Sequence, residues 1–396
     1  MNIQKLIPRV LISVLVFTSS TSALAMNFGL VGRIQAEYNH INIEGFSNQA
    51  SIEDPTFFSS WGLRVLEELG KGFKAVGMID YGFNLNGAQS GNREMFVGLS
   101  QESLGTLKFG RTHSPFADFA GGWTIDPFVY TTLQATGSGG TMIASANGLG
   151  SASYTAVNSV VRFTSAAFNG FSFAVMLMPG DSDRLEAHLG GMLGGKGGNI
   201  GNTGGENGEW DVQFAAKYVT QIQDHKLEVF SGYSRDNVSS TQKKVLTANL
   251  RTEEVARVGG IWAYQNFRIQ GQYDYISNAL GAATCSDAAA LGALGENSTR
   301  QCNSAMNPGG SGDIWYAGGQ YKWGNTTFVA QGGMTDANNT EALASRKSKS
   351  FTVGALYSLS KRTNLFGGYQ HVNVIDKNNP VDRDRNTLTI GMRHLF

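Results

Sequence analysis

From residue 26 onward, apolar and polar side chains alternate with a period of two in nearly every stretch, and helical periodicity is almost absent. "FRIQGQYDY" (267–275) puts Phe267, Ile269, Gly271, Tyr273 and Tyr275 on one face, with Arg268, Gln270, Gln272 and Asp274 on the other. "DVQFAAKYV" (211–219) and "SFTVGALYSL" (350–359) repeat the pattern. In the last stretch, "TLTIGMRHLF" (387–396), Leu388, Ile390, Met392, His394 and Phe396 share a face. A period of two is the mark of a strand whose faces meet different surroundings. An apolar face left uncapped on a final strand is unusual in a soluble domain, so that face needs a partner.

Sixteen such segments can be counted: 27–40, 56–69, 72–84, 93–101, 105–112, 158–166, 170–179, 209–220, 225–235, 253–264, 267–277, 313–323, 325–334, 349–359, 363–373 and 387–396. Tight links such as "GKG" (70–72), "FNG" (168–170) and "GN" (324–325) alternate with longer polar links, among them 41–55, 113–157, 180–208 and 278–312. This is the rhythm of an up-and-down meander, with short turns at one end and long loops at the other. Residues 1–25 have Lys5 and Arg9, then "LISVLVF" (11–17), then "ALA" (23–25). A basic start, a short apolar run and a small-x-small end describe a cleaved secretory signal. An amphipathic first helix is the alternative. The mature domain is then expected at 26–396. An exported chain of ten-residue alternating strands fits an outer-membrane barrel, because a closed sheet is the one strand arrangement that pairs every backbone polar group in lipid. The expected fold is all-β: a 16-stranded antiparallel transmembrane β-barrel, with the last strand paired to the first near 27–40 and Phe396 at an aromatic girdle. A soluble sandwich or solenoid would explain neither the loop rhythm nor the terminal aromatic.

Charge adds one exclusion. Lys and Arg number 31 and so do Asp and Glu, so no field favours nucleic acid. Cys285 and Cys302 fall in one Gly/Ala/Ser/Asn-rich segment. In an oxidising compartment a disulfide stapling that loop is expected, with two free thiols as the alternative. Their surroundings do not match a zinc site, and no cofactor is expected. "GLGSAS" and "GGKGGN" lack the ending of a phosphate loop.

Five motifs in order carry a resemblance: "SSWGLRVLEELGKGFKAVGMIDYGF" (59–83), "FVGLSQESLGTLKFGRTHSPF" (96–116), "NSVVRFTSAAFNGFSFAVML" (158–177), "LSKRTNLFGGYQH" (359–371) and "IGMRHLF" (390–396). Together they resemble the general diffusion porins of Gram-negative outer membranes, most nearly the trimeric beta-proteobacterial type. The resemblance covers about 27–396 and is weak in the loops. It implies a homotrimer with one pore per subunit, a third external loop folded into the lumen, passive passage of ions and small hydrophilic solutes, and contact with outer-membrane lipid and lipopolysaccharide.

A sixteen-stranded barrel encloses an aqueous channel that something must narrow. The longest link, 113–157, follows the fifth strand, where the resemblance places a constricting loop. Its aromatics, including Phe116, Phe119, Trp123, Phe128 and Tyr130, argue against full exposure. Parity turns Arg33, Arg64 and Arg162 inward. Arg111 shares a face with Leu107 and Phe109 unless a bulge intervenes, yet "FGR" matches the constriction arginine that the resemblance implies. The loop's carboxylates are Asp118 and Asp126. Four arginines facing two aspartates would set up a transverse field with mild anion preference. Lys74, Lys217, Arg257 and Arg268 also read as inward, as do Glu37, Asp80, Asp211, Glu228 and Asp274.

Two other classes compete. An enzymatic barrel needs a Ser/His or Asp/His constellation at one height, and His113-Ser114 are chain neighbours that point apart, so no enzyme is expected. A substrate-specific channel or surface adhesin would use loops 180–208 and 278–312. Asp181, Asp183 and Glu186 there could bind a hard cation or be ordinary solvated acids.

Overall fold

A computed structural model describes residues 26–54, 58–85, 89–135, 157–179, 210–237, 252–277, 311–338, 346–376 and 382–396. Residues 1–25, expected to be an export signal, Cys285 and Cys302, expected to form a disulfide, and the acids at 181–186 lie outside them.

Seventeen strands form one antiparallel sheet among the described residues. The first five are β1 (Met26–Ile43), β2 (Gln49–Glu53), β3 (Ser60–Gly70), β4 (Phe73–Phe83) and β5 (Gln89–Gln101). Next come β6 (Gly105–Thr112), β7 (Val157–Ser165), β8 (Phe171–Pro179), β9 (Trp210–Ile222), β10 (His225–Asp236) and β11 (Glu253–Tyr264). The last six are β12 (Phe267–Ser277), β13 (Ser311–Trp323), β14 (Thr326–Asn338), β15 (Arg346–Ser358), β16 (Thr363–Asp376) and β17 (Asp382–Leu395). All but β2 match the sixteen expected segments one for one, and these sixteen make the wall.

Closure is by β1 against β17, from Arg33 opposite Leu395 to Ile43 opposite Arg385. Phe396 N–H donates to the Gly32 carbonyl at 2.9 Å and Gly32 N–H donates back at 3.0 Å. The wall thus has no free edge to leave backbone groups unpaired in lipid.

β2 falls inside the link read as 41–55. β1 has 18 residues. Its first part pairs with β3, as far as Arg33 opposite Ser60. Beyond that point Glu37–Ile41 pair with β2. Five residues are too few to stand out as a strand by alternation; a long partner makes them one. The second segment, expected from 56, starts as β3 only at Ser60. The chain turns inward before it, burying Phe58. Ser59 N–H donates to the Asp54 carboxylate at 2.5 Å.

Burial is inverted relative to a soluble protein. On β12, Phe267 and Ile269 are 52% and 56% exposed, whereas Gln270, Gln272 and Asp274 are 2%, 4% and 1% exposed. Exposed apolar rings around a closed wall require an apolar exterior. The tight turns hold four of the five described non-glycine residues with positive φ, Lys71 (52°), Asn169 (48°), Gln223 (55°) and Gln265 (50°); the fifth is Tyr130 (61°). Left-handed turn residues match the right-handed twist of the strands they join.

Candidate functional site

The chain leaves β6 at Thr112 and runs through 113–135 before the described residues break off. Pro115 opens a one-turn helix, α1 (Pro115–Asp118), and a 3-10 turn follows at Gly122–Thr124. At the start of this turn Gly121 and Gly122 have φ of 74° and 58°. At φ of 74° Gly121 has a backbone conformation that favours glycine, and a side chain there would also press on the Gln272 amide and the Phe230 ring.

Bonds from this segment fall on polar side chains of one strand after another. Phe116 N–H donates to Gln213 of β9 at 2.8 Å, and Gly122 N–H to Gln272 of β12 at 3.0 Å. The Arg257 guanidinium of β11 donates to the Phe116 and Ala120 carbonyls at 2.6 and 2.9 Å. Arg268 of β12 donates to the Thr124 carbonyl at 2.7 Å, and the Tyr316 hydroxyl of β13 to the Ile125 carbonyl at 3.0 Å. Gln331 of β14, Gln370 of β16 and Arg393 of β17 hold Asp126, the Gln134 carbonyl and the Val129 carbonyl at 2.9, 2.7 and 2.8 Å. On β1, Gln35 donates to the Tyr130 carbonyl at 2.5 Å and Glu37 accepts from the Thr132 hydroxyl at 2.8 Å. Each of these backbone groups would cost about 1–3 kcal/mol if buried without a partner. Two apolar clusters join the segment to the wall. Phe116, Phe119, Ala120 and Ile125 pack with Phe230, Ile276 and Ile314. Phe128 and Leu133 pack with Val329 and Phe366.

Among the described residues the charged groups around the segment form four sets, the last centred on Glu94. Arg162 of β7 grips Asp118 with two bonds, 2.9 and 2.6 Å, and donates to the His113 carbonyl at 2.7 Å. Arg33 and Arg93 share Asp80 at 3.5 and 3.7 Å. Arg33 and Arg393 lie over the Phe58 ring at 4.8 and 4.1 Å, and Arg93 lies over Tyr130 at 5.3 Å. Arg257 and Asp274 form a bidentate pair, both bonds 2.8 Å. His113 sits beside Glu94. Burial lowers its imidazole to about 4, against the pull of the Glu94 carboxylate, so the ring is neutral at pH 7.

The six expected residues separate. Arg33, Arg162 and Asp118 are in these sets. Arg64 is exposed and pairs in register with Gly29 and Met78. It stands four residues past Ser60 toward the tight turn, about 13 Å along the strand. Arg111 is opposite Met95, in the same alternation as the exposed Phe109, whereas Lys108 and Thr112 bond the inner Glu94. The β6–β7 register does shift between Gly110 and Thr112, but β6 keeps its alternation along β5. Asp126 is 2% exposed and clasps its own segment, accepting from Phe128 and Ala135 N–H at 2.8 and 2.9 Å.

Arg93 and Arg393 were not among the candidates. Ile79 pairs with Met95 and Tyr81 with Asn92, so a bulge sets two residues, Arg93 and Glu94, against Asp80. Simple alternation would turn one of them outward. The parity of Arg393 was readable; its place next to Gln35 required the closing register.

A closed antiparallel wall, apolar and exposed outside and polar and buried inside, defines a transmembrane β-barrel. The profile described as Gram-negative porin matches residues 11–377, and the chain belongs to that family. It is 32% identical over 123 residues to an outer membrane porin protein of Bordetella pertussis, covering 30% of this chain and 29% of that one. It is 29% identical over 167 residues to the major outer membrane protein P.IA of Neisseria meningitidis, covering 41% and 38%. The matches therefore span roughly a third of each relative. Among solved structures, the anion-selective porin from Comamonas acidovorans superposes with a TM-score of 0.64 at 16% identity, covering 94% of this chain and all of that one. Salmonella typhi OmpF gives 0.62 at 13% identity, covering 93% and 97%. At these identities the structural likeness concerns the fold. Family and fold together make the outer membrane this protein's location.

Proposed function

We propose that the protein is a water-filled channel for passive diffusion of ions and small hydrophilic solutes, narrowed by segment 113–135 folded into the lumen and weakly selective for anions. The observation that carries this reading is the chain of bonds from the segment to β9, β11, β12, β13, β14, β16, β17 and β1. All of the wall partners belong to the buried polar face, so the segment follows the inside of the wall. The anion preference follows from the guanidinium groups of Arg33, Arg93 and Arg393 gathered around Phe58 and Tyr130, whereas Arg162 and Asp118 largely cancel. Fixed charge at the narrowest level governs selectivity, because salt screens distant charges within about 10 Å.

Three copies assemble in this reading, with the apolar outer face against lipid, lipopolysaccharide and neighbouring subunits; the family supports it. The reading also has residues 1–25 removed on export, Cys285 joined to Cys302, and no catalytic role. The test is planar-bilayer recording of the purified, detergent-extracted protein across a KCl gradient. Large stable conductance steps that close in thirds are expected, with a reversal potential of anion-selective sign. A folded, heat-modifiable barrel that never conducts would overturn the channel, and a cation-selective sign would overturn the charge assignment.

A further inference from the structure

Trp123 is held at β12 from both sides: Gly122 N–H bonds Gln272, and the Thr124 carbonyl accepts from Arg268. Its ring nonetheless meets two rings of the same segment that are tied to other strands of the wall. The centroids of Trp123 and His113 are 4.6 Å apart, edge to face, and those of Trp123 and Tyr130 are 4.9 Å apart. His113 is tied to Glu94 of β5 and to Arg162 of β7. Tyr130 is tied to Gln35 of β1 and Arg93 of β5, and its ring touches Phe58 at 5.3 Å. Leaving aside the short β2, six wall strands (β6 to β11) separate β5 from β12 one way round, and eight (β13 to β17, β1, β3 and β4) the other. β5, the strand that both outer rings share, therefore lies almost opposite β12, while four and five strands separate β12 from the further ties to β7 and β1. Rings fixed to opposite sides that touch at van der Waals distance must meet across the lumen.

We infer that His113, Trp123 and Tyr130 form an aromatic bridge across the lumen, and that Trp123, its middle member, sets the size limit of the pore. This rests on the proposed folding of segment 113–135 into the lumen. Both ends of the bridge are fixed: Arg162 and Glu94 hold His113, and Gln35 and Arg93 hold Tyr130. Trp123 is partly exposed, as a ring bordering open space should be. Three rings side by side present an apolar obstacle that water and hydrated ions must pass around, and apolar constrictions oppose conduction by dewetting. The solutes admitted are then narrow hydrated ions and slim polar molecules. A bulky sugar is stopped by the bridge and not by the surrounding charge.

The test uses the full-length protein. Single-channel conductance is recorded in planar bilayers, and the size limit is read by swelling of proteoliposomes in sugars of increasing mass. Trp123→Ala is expected to raise conductance by about twofold or more and to admit larger sugars, with the sign of ion selectivity unchanged. Trp123→Phe, which keeps a ring in contact, should fall between. His113→Ala opens the other joint and should act in the same direction; it decides the matter if the alanine variant at 123 loses its heat-modifiable mobility. Wild-type conduction with unchanged conductance and size limit in the variants would overturn the bridge and leave the diffusion channel standing. A silent wild type with a conducting Trp123→Ala would uphold the bridge as a seal and overturn the open channel. Silence in wild type and variants alike would overturn both.

Discussion

Arg257→Ala should be among the most damaging single substitutions in the wall. The side chain is 0% exposed and its partner Asp274 is 1% exposed. The guanidinium also donates to the Phe116 and Ala120 carbonyls and lies 4.3 Å over the Phe116 ring. Removing it strands a buried carboxylate whose remaining bond is from Gln272 at 3.1 Å. Breaking a buried ion pair from one side costs about 3–5 kcal/mol. Each carbonyl that loses its donor adds about 1–3 kcal/mol where water cannot replace it. These terms overlap, so a total loss of about 4–6 kcal/mol is expected. Arg257→Leu with Asp274→Leu removes both charges and should recover most of the ion-pair part, leaving only the cost of the two carbonyls that lose their donor. The assay is urea unfolding in detergent micelles, with the folded fraction read from heat-modifiable mobility. The single variant should also show noisier open-channel current, since it unlatches α1. A single variant within about 1 kcal/mol of wild type, or a double variant as unstable as the single, would refute the reasoning.

Other perturbations follow from the same geometry. Arg33→Ser with Arg93→Ser should move the reversal potential toward cations, whereas Arg111→Ser, on the outward alternation, should leave it in place; a reversed ranking would restore Arg111 to the constriction. Asp118→Asn leaves the Arg162 charge without its bidentate partner, so the potential in a KCl gradient should shift further toward anions. Gly170→Ala puts a Cβ 2.2 Å from the Val219 carbonyl at a φ of 85°. That should lower stability by about 1–3 kcal/mol, seen as a lower urea midpoint and refolding yield, with conductance of the folded fraction unchanged.

The wall was legible because its physics is local. Each strand must show lipid one face and the lumen the other, so alternation appears in every ten-residue window, and Asn169-Gly170 or Gly324-Asn325 marks a turn without knowledge of anything else. The same locality made Glu37, Asp80, Lys217, Arg257 and Asp274 readable as inward. It failed where a second strand decides the outcome. β2 exists because β1 outlasts β3. Arg93 faces inward because a bulge sets it and Glu94 against Asp80.

The candidate site was readable only in outline. A long aromatic-rich link after the fifth strand, arginines of inward parity and two loop carboxylates all stand in the sequence. Which arginines meet which acids does not, since contacts such as Gln331 with Asp126 or Arg393 with Val129 join residues 205 and 264 positions apart. Such pairs depend on the register accumulated around the whole barrel and on the closing match of β1 with β17, and a shift of two residues in any strand would regroup them. Period-two alternation thus determined a membrane barrel of sixteen wall strands from sequence alone. The grouping of Arg33, Arg93 and Arg393 around Phe58 and Tyr130, and the meeting of Trp123 with His113 and Tyr130, were decided by tertiary structure, because they depend on distances across a closed ring that no local stretch of chain encodes.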